Sequence, residues 1–498
     1  MLDIENSGLL AAIDLGSNSF HMVVARRDHG GLQLIDSLSE KVQLAAGFDE
    51  RGRLNDLVQE RALACLGRFA QHLRGVDPEG LRVVGTNALR IARNASAFLK
   101  RAERLLGCPI EVISGREEAR LIYLGVSHTQ VDRGRQLVVD IGGGSTEFIV
   151  GEHFEPLLME SLHMGCVSYQ RRFFADGFMS EAAMEAAILA ARQEVMLIAQ
   201  EYCQMGWDAA LGSSGTIKAL LAVLEAMGLA PDGAITMEGL QALREKIQSY
   251  RHAMDMDFPG LKDDRKPLLA SGLCIALGLF QELGVERMGY SEGALREGVL
   301  FDLLGRWGHE DIRVRTVQAM QGRYHVDVEQ AARVRDTAQM LAREFVMQAD
   351  CPELDQELLL QAAELHEIGL GIAHSGFHKH GAYLLRYSDM PGFSRSAQER
   401  LSILVGAHRR KIREEQKHAL SDLGGLGLVY TCVVLRLAVL LHHSRHREPL
   451  PRCQIAWTDG VLALRFPRGW LERKPLTLMD LQQEAGYLLA LGVTLELG

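Results

Sequence analysis

The sequence predicts an α/β protein built from a duplicated half, followed by a helical domain and a small α+β terminus. Three observations carry this reading. Residues 137–150, LVVDIGGGSTEFIV, read as a buried strand that ends in an acid and three glycines, where backbone N–H groups can approach an anion and a positive φ is allowed. Residues 11–21, AAIDLGSNSFH, repeat the device as apolar, Asp14, apolar, Gly16, small, small, Ser19. Beyond Gly305 the Gly-rich strand turns stop and helical periodicity takes over. Two matched loops place an anion between two halves.

Size and composition bound the rest. A chain of 498 residues exceeds a single core, so two to four domains are expected. With 47% hydrophobic and 24% charged residues it has the composition of a soluble globular protein. The 8 cysteines are scattered with no Cys-x-x-Cys, so neither a zinc ribbon nor a disulfide framework is indicated and a reducing compartment is expected. The N-terminus, MLDIENSGLL, has two acids and no basic region ahead of its apolar stretch, so no secretory signal is expected. Leu426 to Leu441 is short for a bilayer span and contains Arg436, which predicts a buried helix. A net charge of −10 repels polyanions at long range, so any such partner must meet local basic patches.

Taken in order, residues 1–134 form the first α/β half. Leu32 to Ile35 returns as a strand, and Leu54 to Leu73 is a helix with Leu63, Leu66 and Ala70 facing a core. Arg82 to Gly85 is a strand, and Thr86 to Arg90 opens the next helix. The strand Ile110 to Ile113 runs into Ser114-Gly115-Arg116-Glu117-Glu118 and a helix through Val126. Ser114 and Glu117 have capping-box spacing, which gives Glu117 a structural task and leaves Glu118 free.

Residues 135–304 repeat the plan. After the central loop come long helices between Cys166 and Ala199, and a strand Trp207 to Leu211 that delivers Gly212-Ser213-Ser214-Gly215-Thr216 to a helix start suited to phosphate. The last strand, Glu286 to Tyr290, leads to Glu292-Gly293-Ala294-Leu295-Arg296-Glu297-Gly298. No GxxxxGK[ST] and no GxGxxG occurs, so Walker and Rossmann phosphate chemistry are unsupported. Residues 305–448 are helical, including Val326 to Gln348, Glu357 to Ile368 and Gln398 to Ala407. Residues 449–498 give a hairpin around Thr458-Asp459-Gly460, then a helix and a strand, with packing or dimer contact as the role.

DLGSNSFHMVV at 14–24, SGREEARLIY at 114–123, DIGGGSTE at 140–147, GSSGT at 212–216 and EGALREG at 292–298 together resemble the exopolyphosphatase and guanosine pentaphosphate phosphatase family. That family lies within the actin, Hsp70 and sugar kinase superfamily. The resemblance implies two duplicated actin-like (ribonuclease H-like) α/β domains, an all-helical HD-like domain and a small α+β C-terminal domain. It places Asp14, Gly16, Ser17, Asn18, Ser19, Arg90, Gly142, Gly143, Gly144, Ser145 and the 212–216 loop at phosphate, and makes Glu118 the acid that activates the attacking water. The EGALREG segment lies near the base or ribose in nucleotide-binding relatives of this fold.

A phosphoanhydride resists hydrolysis because its anionic oxygens repel a nucleophile, so the protein must neutralise, position and supply a base. Asp140 and Glu147 face the same loop and are the candidates for Mg2+, held directly or through its waters, with Asp14 the symmetric candidate. K+ is a further expected ion. Leu365-His366-Glu367-Ile368-Gly369 resembles the His-Asp signature of metal-dependent phosphohydrolases, but Glu367 replaces the Asp and no upstream His completes it. His374, His378, Lys379 and His380, then Arg409, Arg410, Lys411 and Arg413, and later Arg445 and Arg447, form either a solvated basic face or a polyphosphate path.

The expected reaction is processive release of terminal orthophosphate from inorganic polyphosphate, since Gly144 agrees with exopolyphosphatase wording. The alternative is removal of the 5′-terminal phosphate of guanosine pentaphosphate (pppGpp), and an ATP-dependent small-molecule kinase is more distant. No nucleic acid partner is expected. The resemblance implies a homodimer, and the default placement is cytoplasmic, with peripheral attachment at the inner face of the membrane as a variant.

Overall fold

The computed structural model describes residues 9–28, 31–73, 75–129, 134–307, 312–346, 354–445, 450–451, 453–458 and 460–498. The chain divides into two compact units, 1–311 and 312–498. Arg447, Cys351, Asp459 and the helix end expected at 347–348 lie outside the described residues.

The first unit is built on two sheets. Strands β1 (Leu9–Leu15), β2 (Ser19–Asp28), β3 (Gly31–Lys41), β4 (Leu81–Gly85) and β5 (Ile110–Val112) form one, in the order β3-β2-β1-β4-β5. Strands β6 (Arg135–Ile141), β7 (Thr146–Glu152), β8 (Glu155–Leu162), β9 (Ala209–Ser213), β10 (Ile235–Thr236) and β11 (Arg287–Tyr290) form the other, in the order β10-β11-β9-β6-β7-β8. With β10 set aside, the second order repeats the first strand for strand. The central pairs β1/β4 and β6/β9 are parallel, whereas β1/β2 and β6/β7 are antiparallel hairpins. This is the duplicated α/β plan that the two loops predicted.

The loops themselves differ from the expectation. Each is a hairpin tip, and Gly16 and Gly142 to Gly144 do not take the left-handed φ that was expected of them. Their glycines answer to crowding, as the site shows below.

Each half has its own core. Ile13, Phe20, Val58 and Phe69 gather the first, and Val139, Phe148, Ile188 and Phe280 the second. A further cluster ties the halves together through Leu10, Val84 and Leu121 from the first, Val138 and Ile149 from the second, and Val299 and Leu303 of the helix Leu295–Trp307. That helix crosses the boundary expected at 304, because its apolar face is needed by the core that joins the halves.

The same joint holds a buried ionic network. Arg120 donates Nε and Nη2 to Glu117 at 2.8 Å each and Nη2 to Asp302 at 2.5 Å, while Arg82 donates Nη1 to Asp302 at 2.7 Å and Nη2 to Glu111 at 3.0 Å. Ser114 caps the helix Gly115–Thr129 by accepting from Glu117 N at 3.1 Å. The carboxylate of Glu117, expected to return the favour to the cap, is drawn into the network instead. A buried arginine pair exerts the stronger pull.

The second unit packs the helices Ile312–Arg323, Val328–Val346, Gln356–Leu365, Phe377–Tyr387, Arg395–Ala407 and Glu414–Leu441. The chain then forms β12 (Gln454–Thr458), β13 (Val461–Arg465), the helix Pro475–Leu488 and β14 (Thr494–Leu497), with sheet order β12-β13-β14. One core runs through Phe345, Val433, Leu464 and Leu488. The terminal α+β piece therefore shares the helices' core, whereas the sequence suggested a separate domain, because its few apolar residues are too few to close a core alone. Helices Asp263–Leu283 and Glu414–Leu441 are long and apolar enough to cross a membrane, yet 72% and 61% of their apolar windows are buried in the protein.

Candidate active site

The two hairpin tips meet. A Cβ on Gly143 would lie 3.0 Å from Ser17 Cβ, and one on Gly144 would overlap Asn87 Oδ1. A Cβ on Gly165 would lie 2.5 Å from the Gly143 carbonyl carbon. The glycines are thus required by close approach between the loops and their supports. Between the tips lies a cleft of about 310 Å³ lined by Asp14, Gly16, Ser17, Asn18 and Ser19 from one side and Asp140, Gly142, Gly143, Gly144 and Ser145 from the other. Ser214, Gly215, Thr216 and Glu118 complete the floor.

Glu118 stands in the first turn of the helix Gly115–Thr129 and is mostly buried. Arg90 Nη1 donates to its Oε2 at 2.6 Å and to the Ile113 carbonyl at 3.0 Å. Arg90 itself is not among the residues lining the cleft. Its guanidinium, expected on phosphate, holds the Glu118 carboxylate in place. Gly212 and Ser213 also stand behind the lining; Ser213 donates its hydroxyl to Asp140 Oδ2 at 2.9 Å. Ser214 adopts φ 103, a conformation that costs a Cβ-bearing residue about 1–3 kcal/mol and persists where its surroundings hold it. Its hydroxyl caps the helix Gly215–Ala226 whose N-terminus faces the cleft.

The acids crowd one another. Burial, then the charges of Glu118 and Asp140, hold the Asp14 carboxyl well above the usual carboxylate range. Burial, with a smaller push from Glu118, lifts Asp140 to about 7 against the Ser213 hydrogen bond. Glu147, which pairs across the hairpin with Asp140, is raised by burial and by Glu118 and Asp140. It accepts from Ser161 Oγ at 2.9 Å and does not line the cleft. At the matching place in the first hairpin, Asp14 faces His21, which burial and the nearby Arg296 and Arg265 hold neutral, at about 4.

This donor set fits a hydrated divalent cation. Asp14 Oδ1 is a buried acceptor without a hydrogen-bond partner, and carboxyls that repel this strongly favour either a proton or a cation. Among the described residues no three His, Cys, Asp or Glu side chains converge to cage an ion. An ion that keeps most of its waters and takes oxygens from a bound phosphate suits the geometry.

Sequence reasoning missed the cations of the cleft. Lys218, Arg265 and Arg296 all line it, with Tyr290 and His21. Lys218 Nζ sits 5.5 Å from the Tyr290 ring centroid and 3.8 Å from Glu292 Oε1. Arg296 lies inside the EGALREG motif and Lys218 just past GSSGT, so motif position offered a signal for both; Arg265, in KDDRKP, carried none. In the second unit His378, Lys379, Arg409, Arg410, Lys411 and Arg413 border one hollow, and His380 lies outside it on the helix Phe377–Tyr387. Glu367 Oε1 accepts from Arg445 Nη2 at 2.6 Å.

Duplicated halves, facing glycine tips and a buried acid aimed between them define a phosphoanhydride hydrolase on the actin-like fold. The chain belongs to the Ppx/GppA phosphatase family. The family model of that description matches residues 23–307, and the model for domain III of Ppx/GppA phosphatases matches 312–485. A guanosine-5'-triphosphate,3'-diphosphate pyrophosphatase of Pseudoalteromonas translucida (strain TAC 125) is 42% identical over 97% of both chains. One of the same name from Vibrio vulnificus (strain YJ016) is 40% identical over 96% of both. The crystal structure of the Aquifex aeolicus member of the Ppx/GppA family superposes with TM-score 0.52 at 27% identity, covering 60% of this chain and 99% of that one.

The relatives overturn the expected exopolyphosphatase activity, since full-length similarity points to the guanosine pentaphosphate alternative. The physical reason lies in Gly144. A Cβ there would overlap Asn87, so packing between the loops accounts for this glycine without reference to the substrate.

Proposed function

We propose that this chain hydrolyses the terminal 5′ phosphoanhydride of guanosine 5′-triphosphate 3′-diphosphate, releasing orthophosphate and leaving the 5′-diphosphate 3′-diphosphate. The observation that carries the reading is Glu118, fixed by Arg90 at 2.6 Å on the floor of the cleft between the two hairpin tips. Backbone amides of the Gly16–Ser19 and Gly142–Ser145 tips receive the terminal phosphoryl group, and Ser214 to Thr216 present a helix start to the next phosphate. Glu118 takes a proton from a water as that water attacks phosphorus, the bond to the bridging oxygen breaks, and the electron pair leaves on the diphosphate. Lys218, Arg265 and Arg296 offer positive charge to the remaining phosphates, and Tyr290 offers a ring face to the base. Mg2+, held by Asp140 and Asp14 through its waters, would neutralise charge on the phosphate oxygens. K+, a homodimer and a cytoplasmic setting are carried from the family resemblance, and sedimentation of the purified chain tests the dimer.

The test compares orthophosphate release from guanosine 5′-triphosphate 3′-diphosphate and from GTP, in wild type and Glu118→Gln. The variant is expected to lose about 10² to 10⁴ in kcat with its fold intact. Lys218→Ala with Arg296→Ala is expected to raise KM for the 3′-diphosphate substrate more than for GTP. Full turnover by Glu118→Gln removes the assigned base, and equal KM changes for the two substrates remove the assigned 3′-diphosphate contacts.

A further inference from the structure

The helical unit contains a second cavity, of about 380 Å³, that the hydrolytic reaction does not use. Its size suits a small organic ligand. Three carboxylates line it: Glu367 pairs with Arg445 at 2.6 Å and Glu484 with Arg436 at 2.5 Å, while Asp480 lies 3.6 Å from His443 Nδ1. Arg409 and Arg410 line the same wall, and neither has an ion-pair partner among the described residues. Arg409, Arg410, Arg436 and Arg445 stand against three carboxylates, so the lining carries an excess of positive charge.

The loop that presents those arginines is held under constraint. Arg410 takes φ 66, in the left-handed region. Arg436, buried in the helix Glu414–Leu441, donates to the carbonyls of Ala407 and Arg410 and so clamps the turn from beneath. The Arg409 guanidinium lies 4.6 Å from the Phe377 ring centroid, which fixes its direction.

The remaining wall asks for donors. His408 donates Nδ1–H to the Val405 carbonyl at 2.5 Å, and burial keeps the ring neutral, so Nε2 is a lone-pair acceptor; it has no partner. Glu367 Oε2 is a second buried acceptor without one. Both residues are more than nine-tenths buried and both line the cavity. Leu370, Val439, Leu440 and Tyr487 supply apolar surface to the same cavity. A buried acceptor left without a donor is costly, so the site is shaped for a ligand that donates.

We propose that this cavity binds a nucleoside phosphate, with the phosphate on Arg409 and Arg410, the ring against the apolar wall, and hydroxyl or amine donors on His408 and Glu367. The proposal does not depend on the reaction assigned to the first unit. Inorganic anions would satisfy the arginines alone and leave both acceptors unmet.

The full chain is photolabelled with 8-azido-GDP and the attachment sites are mapped by peptide mass spectrometry. Saturable labelling of peptides containing Phe377 or Tyr487, displaced by GDP at about tenfold lower concentration than by inorganic pyrophosphate, is the expected result. Arg409→Gln with Arg410→Gln is expected to abolish that label while the label on residues 9–307 and the hydrolytic rate persist. Labelling of wild type confined to 9–307 overturns the site, whatever the variant does. Equal displacement by GDP and pyrophosphate overturns the nucleoside and leaves a simple anion surface.

Discussion

Neighbouring glutamates at 117 and 118 have opposite fates. Both begin the helix Gly115–Thr129, yet one side chain turns into a buried arginine network and the other into the cleft. Glu117→Gln should lower stability while kcat stays near wild type, as read by denaturant midpoint and turnover on one preparation. Arg90 is a positioning residue for Glu118. Arg90→Gln is expected to lower kcat by about 10²-fold with little change in KM, the cost of a misaimed base. A raised KM at unchanged kcat would return Arg90 to the phosphate grip that its motif suggested. Asp140 adds a pH signature. Its folded carboxyl titrates at about 7 because burial penalises the charge, whereas an unfolded Asp titrates near about 4. The folded state holds the extra proton between those values, so this group's contribution to stability falls as pH rises from about 4 to about 7 and is flat above. The difference in Tm between wild type and Asp140→Asn should therefore move against wild type over that range, and Mg2+ should restore more of it at pH 8 than at pH 5.

At the scale of elements, the hairpin tips are governed by clearance. Gly144→Ala would drive a methyl into Asn87 and is expected to cost about 1–3 kcal/mol by overpacking, with activity falling as the tip shifts. Asp302→Ala would leave Arg82 with Glu111 and Arg120 with Glu117, each short of one charge-assisted hydrogen bond, for an expected loss of about 1–3 kcal/mol in chemical denaturation. The same elements show what a reader of the sequence could see. Strand, acid and glycine at 140–144 and 14–16 were legible as a turn at a strand end because an apolar run broken by glycine stops a strand whatever lies around it, but that each turn is a hairpin tip was not. The reason for the glycines was not, since Ser17 and Asn87 come from elsewhere in the chain. Arg265 was invisible for a similar cause: it reaches the cleft by packing over Gly215, and nothing beside it in sequence announces that.

On the scale of the molecule, a net charge of −10 coexists with a cleft carrying Lys218, Arg265 and Arg296. Position, not total charge, decides what an anion meets at close range, because screening removes the distant repulsion within about 10 Å at moderate salt. The repeated strand order of the first unit marks two copies that each once carried a complete sheet. They have since ceased to be separable. Arg82 and Arg120 of the first copy share Asp302, donated by the closing helix of the second, and cutting the chain between copies would remove that carboxylate together with Val299 and Leu303 from the core that joins them. Descent by doubling has here ended in mutual obligation, so neither ancestor-like half can be recovered by simple truncation.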